Sequence, residues 1–270
     1  MTLIEFFLFI VLGCGVGFLA GLFGVGGGII LVPVLVFSYE YLGVSSSVLT
    51  HFAMGTSLFV IFFASLFSAY QHQKQGNVNR KAFLILGVSS TLTALAASKL
   101  AAEMSGTYLR FVFALIVVIT GIIMLAETEL QAQKKLEFTL TPNPIHLSGT
   151  GLIAGMVSAL AGIGGGVITI PMMYYLIKMP LKLSIGTSSA TIVMTSLFAL
   201  IGYVVNGMKQ PGLPSGSVGF VDLQRGIALA IGTIFFARIG AYVSFKTHPF
   251  RLRKCFALYN IVVSIYMFFK

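Results

Sequence analysis

Apolar residues run in long stretches along this chain, and polar residues are confined to the short gaps between them. The apolar stretches cover residues 3–37, 48–70, 82–101, 108–126, 145–177, 184–205, 222–245 and 252–269. A membrane-crossing helix needs about 20 such residues, so each stretch is a candidate span. Two are too long for one. As a single helix, residues 3–37 would reach about 52 Å, against a hydrocarbon core of about 30 Å. Both over-long stretches contain a glycine cluster, and each interior glycine costs about 1 kcal/mol relative to alanine. The pattern predicts an all-α polytopic membrane protein of about eight to ten helices, with glycine-broken hairpins in two of its stretches.

The text also repeats. Residues 17–33 read GFLAGLFGVGGGIILVP and residues 155–171 read GMVSALAGIGGGVITIP. Gly24, Gly26, Gly27, Gly28 and Pro33 fall on Gly162, Gly164, Gly165, Gly166 and Pro171 at one fixed offset, as do Gly13 and Gly17 on Gly151 and Gly155. Gly55-Thr56-Ser57 answers Gly186-Thr187-Ser188, and Leu109-Arg110 answers Leu252-Arg253. This divides the chain into a first membrane repeat (1–126), a cytoplasmic linker (127–144) and a second membrane repeat (145–270).

Composition agrees: 57% of residues are hydrophobic and 9% charged, too few polar side chains to cover a soluble surface, so the bilayer is the expected partner. The net charge of +10 resides in short loops between apolar stretches, which argues for membrane topology and against nucleic acid. With four simple spans per half, the basic residues divide equally between the two sides. If instead each half begins with a hairpin, the halves are inverted. One side then holds Lys74, Arg80, Lys81, Lys134, Lys135, Lys178, Lys182, Lys246, Arg251, Arg253 and Lys254. The other keeps Lys99, Arg110, Lys209, Arg225 and Lys270. The excess of basic residues on cytoplasmic loops favours this inverted repeat, with both termini outside.

Glycine breaks at membrane depth survive only where protein or a wet cavity surrounds them. The residues after each break, beginning at Ile29 in the first half, read as a short half-helix whose N-terminal amides carry partial positive charge. Two such N-termini meeting near the midplane would suit a small anion. Gly24, Gly26, Gly27, Gly28, Gly162, Gly164, Gly165 and Gly166 are therefore the candidate binding backbone; close helix packing is the competing reading of the same glycines. Thr56, Ser57, Thr187 and Ser188 are candidate lining hydroxyls, although such groups commonly bond their own helix. His51 is a candidate proton carrier. Arg238, inside an apolar stretch, is a candidate charge, or a side chain reaching for the surface. No metal cluster, nucleotide loop or nucleophile–base pair is present, so no enzyme and no cofactor is expected, and energy would come from an ion gradient, with the proton one candidate, or from the substrate's own gradient.

The paired GxGGG…P and GTS segments, with the loop GLPSGSVGFVDL at 212–223, resemble the sulfite exporter TauE/SafE family, also called TSUP, over essentially the full length. The resemblance implies a secondary transporter of the prokaryotic plasma (inner) membrane that moves a small sulfur-containing anion such as sulfite or an organosulfonate. A passive anion channel and a membrane assembly factor without a substrate path are the other two readings.

Overall fold

The computed structural model describes residues 2–23, 27–126, 142–208, 210–214, 216–246 and 249–269. The first half contributes α1 (Leu3–Phe23), α2 (Gly28–Tyr41), α3 (Ser46–Lys74), α4 (Arg80–Glu103) and α5 (Gly106–Ala126). The second contributes α6 (Pro144–Ala161), α7 (Gly166–Pro171, continued as a π-turn over Met172–Leu176), α8 (Leu181–Gly207), α9 (Leu223–Lys246) and α10 (Pro249–Phe269). A two-residue hairpin pairs β1 (Ser217–Val218) with β2 (Val221–Asp222) ahead of α9. Among the described residues, seven helices are long and apolar enough to cross a membrane, and this is an all-α polytopic membrane protein.

The over-long stretches divide at their glycines, as the pattern predicts. The first half-helix is longer than its apolar core: α2 has 14 residues and continues through Ser38 to Tyr41. At roughly 21 Å it still falls short of the bilayer core. Beyond Pro171 the ladder widens to π-type bonds such as Ile177 N–H to Met172 O. Helix starts are capped locally. Thr2 and Glu5 cap α1 reciprocally, while Asn79 and Asn143 side chains accept the first-turn amides of α4 and α6.

One helix, α4, turns large apolar side chains outward and small or hydroxylated ones inward. On α4, Leu84, Val88, Leu92 and Leu95 are exposed along one stripe, while Ser89, Ser90, Ala94, Ala97 and Ala101 are buried. Lipid is as apolar as leucine, so close van der Waals fit holds such helices together. On α8, three buried hydroxyls bond their own helix: Thr191, Thr195 and Ser196 each donate to the carbonyl four residues back.

Long-range contacts fix the helix directions. Gly186 lies against His72, Gly55 against Tyr203, and Ser68 bonds Ser189, so α3 and α8 cross antiparallel. Phe111 stacks near Phe268, whereas Gly121 meets Asn260, so α5 and α10 are antiparallel too. Gly13 and Gly17 of α1 abut Leu229 and Thr233 of α9; Gly151 and Gly155 of α6 abut Leu86 and Ser90 of α4. Both pairs are parallel. The first helix thus begins, and the last helix ends, at the Ser46 end of α3, and residues 126 and 144 lie at the Lys74 end.

Candidate functional site

Gly27 and Gly165 cap the two half-helices in the same way. Each has φ +80°, in the left-handed region that glycine enters without penalty, and neither cap is completed by a side chain. The next residue leaves no room for a Cβ. At Gly28 it would lie 2.8 Å from Ile61 Cδ1 and 2.9 Å from the Ile163 carbonyl carbon; at Gly166 it would lie 2.6 Å from Ile192 Cδ1. The second break therefore packs directly on the start of α2, and both half-helices begin beside the α3–α8 crossing. From there α2 runs toward the Ser46 end and α7 toward the Lys74 end. Gly162 and Gly164 also have positive φ, and Gly164 is wedged between Ile61 and Ile192. Gly24 and Gly26 lie outside the described residues.

The four hydroxyls flank this junction. Ser57 Oγ donates to Gly162 O at 2.8 Å, satisfying a carbonyl freed by the break. Ser188 is fully buried and its Oγ has no partner; it lies 3.6 Å from where a Gly166 Cβ would be. Thr56 Oγ1 accepts the Asp222 N–H at 3.0 Å and the Tyr39 O–H at 3.2 Å. Thr187 Oγ1 accepts the Asn79 N–H at 3.0 Å. Each threonine thus holds the start of a helix in the other half, α9 and α4 respectively.

His51 stands apart from the breaks. Its Nε2 bonds Ala101 O at 3.0 Å and Met104 O at 3.1 Å, closing the C-terminal carbonyls of α4, and its ring stacks on Phe220. Arg238 is exposed on the outer face of α9, two turns before Lys246, where its stem can lie along lipid and its head reach the interface.

A charged group near the Ser46 end is not apparent from the repeat. Arg225 donates to Asp222 at 2.7 Å and to Glu5 at 3.5 Å, above the Phe9 ring at 5.6 Å. Asp222 is 5% exposed and also caps α9 by accepting the Arg225 N–H. Its counterpart is Asn79, which caps α4 with no charge. The family-like loop 212–223 ends on Asp222 and Leu223, and that is the only trace of the cluster in the sequence.

These features define a polytopic helical membrane protein in which two half-helices, neither with a side-chain cap, begin at one junction. The chain belongs to the sulfite exporter TauE/SafE family, whose model matches residues 9–267. A probable membrane transporter protein of Haemophilus influenzae is 32% identical over 267 residues, spanning 97% of this chain and 98% of its own. A probable membrane transporter protein of Methanocaldococcus jannaschii is 30% identical over 261 residues, spanning 96% and 94%. No solved structure matches. The protein is an integral multi-pass transporter of a prokaryotic plasma membrane.

Proposed function

We propose that the protein is a secondary transporter of a small sulfur-containing anion, sulfite or an organosulfonate, bound where the two glycine breaks meet. The observation that carries the reading is the matched pair of left-handed caps, Gly27 and Gly165, at half-helices that begin at one junction. Two N-termini focus partial positive charge there, which suits an oxyanion accepting backbone N–H bonds. The unpartnered Ser188 Oγ is a further donor, and Gly162, Gly164 and Gly166 let backbone approach closely. Thr56 and Thr187 serve this site from behind, by fixing α9 and α4. The halves 1–126 and 145–270 act as an inverted repeat joined by 127–144, and rocking of one against the other exposes the junction to either side. The antiparallel pairs α3–α8 and α5–α10 favour that inversion.

The test is uptake of labelled sulfite, and separately of a labelled organosulfonate, into liposomes containing the purified chain. Wild-type protein moves at least one of them; Gly165→Val and Ser188→Ala both reduce the flux, the first to background, while eluting as wild type. Normal flux in both variants would remove the site from the junction, and no flux of either anion by wild type would remove the substrate class. Flux that does not respond to an imposed proton gradient points to coupling by another ion or to a passive path.

A further inference from the structure

Outside the junction, the protein has a groove of about 470 Å³ on its flank, between α3, α4 and α8. Leu66 and Ala69 of α3, Phe83 and Leu84 of α4, and Ala190 and Met194 of α8 form its walls. They expose almost no polar surface, so the groove cannot offset the cost of desolvating sulfite or any small oxyanion. Gly87 makes the floor possible: a Cβ there would lie 2.7 Å from Met194 Sδ.

The groove has a direction. Leu66, Ala69, Tyr70 and Gln73 follow one face of α3 for about two turns toward the Lys74 end. There the lining changes to exposed Tyr70, Gln73 and Arg80, with exposed Lys74 and Lys81 beside them. Among the described residues Arg80 forms no ion pair. An apolar channel that opens onto unpaired cations, on the flank of an integral membrane protein, matches a molecule with a hydrocarbon tail and a negative head. Tyrosine and arginine at that depth are also the side chains expected at the headgroup level.

We propose that this groove seats a phospholipid with an anionic headgroup, its acyl chain against Ala69, Ala190 and Met194 and its phosphate against Arg80. The site is independent of the transported anion. Binding there would link α3 and α8, which cross at the glycine breaks, to the lipid composition of the leaflet at the Lys74 end.

The full chain, purified in a neutral detergent, is titrated with phosphatidylglycerol or phosphatidylcholine of identical acyl chains. Thermal midpoints and native mass spectra are read. Phosphatidylglycerol raises the midpoint and leaves one lipid bound; phosphatidylcholine does neither. Arg80→Ala weakens phosphatidylglycerol about fivefold, the loss expected for one cation at a membrane surface. Ala190→Trp, which fills the groove, abolishes the bound lipid. Equal response to both lipids, or wild-type retention of lipid by Arg80→Ala and Ala190→Trp, overturns the proposal. So does a dimer in the spectra that Ala190→Trp dissolves, because the occupant would then be a second copy of the chain. Sulfite flux is not part of the readout, so failure here leaves the reading of the junction untouched.

Discussion

At the scale of single residues, the two threonines show how one short motif does matched work in two places. Thr56 accepts a buried backbone N–H and Thr187 a part-buried one, each from across the molecule, and Thr56 also receives the Tyr39 hydroxyl. Leaving a buried donor without its acceptor costs about 1–3 kcal/mol. Thr187→Val, nearly isosteric, is expected to lower stability by about that much, and Thr56→Val by more, because two donors lose their partner. Thermal melts in detergent check the order; equal shifts would show that the Tyr39 bond contributes nothing. The sequence made these hydroxyls candidates because they recur, yet their partners were not legible: Asn79 and Asp222 are more than a hundred positions away, and nothing in the repeat pairs them with a threonine. The Glu5–Arg225–Asp222 group was hidden for the same reason. Its members come from opposite ends of the chain, and a charge count treats Arg225 only as a loop cation.

Elements were far more legible than contacts. Apolar runs of bilayer length fix where helices lie, and glycine clusters fix where they break, since both follow from local chemistry. What a glycine is for was not legible from its neighbours. Gly15 and Gly17 share one helix, but a Cβ at Gly15 meets nothing within 4 Å, whereas one at Gly17 lies 2.6 Å from Thr233 Cα. Gly17→Leu is expected to separate α1 from α9 and cost more than about 3 kcal/mol, as overpacking against backbone cannot relax. Gly15→Leu, on the exposed face, is expected to leave the melting midpoint unchanged, and an equal loss in both would refute the packing assignment. The π-turn of α7 was unforeseen as well, because Pro33 occupies the matching place in α2 and leaves a regular helix. Just beyond that turn, Lys178 takes φ +59°, the only positive-φ non-glycine residue among those described. A side chain there costs about 1–2 kcal/mol, so Lys178→Gly is expected to raise the melting midpoint and Lys178→Val to lower it. A midpoint that falls with glycine would mean that the lysine makes a compensating interaction.

At the scale of the whole molecule, direction decides the topology. Chain directions read from side-chain contacts put Lys74, Arg80, Lys81, Lys178, Lys182 and Lys246 at one end of the helix stack. Arg110 and Arg225 lie at the other, where Arg110 bonds Thr50 and Arg225 meets Glu5. That division coincides with the one favoured by the distribution of basic residues along the sequence. Positive charge concentrates on the cytoplasmic side, so the Lys74 end is expected to face the cytoplasm and the Ser46 end the exterior. Tyr41, 87% exposed at the end of α2, and exposed Gln75, just after α3, report the two sides. In a background where Cys14 and Cys255 are replaced by serine, a membrane-impermeant maleimide should label Tyr41→Cys in intact cells. Gln75→Cys should react only after permeabilisation. The opposite pattern reverses the orientation while leaving the proposed inverted repeat intact. Labelling of both positions from the same side would break the repeat itself, because Tyr41 and Gln75 lie at opposite ends of α3, a 29-residue helix of roughly 43 Å that must then fail to cross.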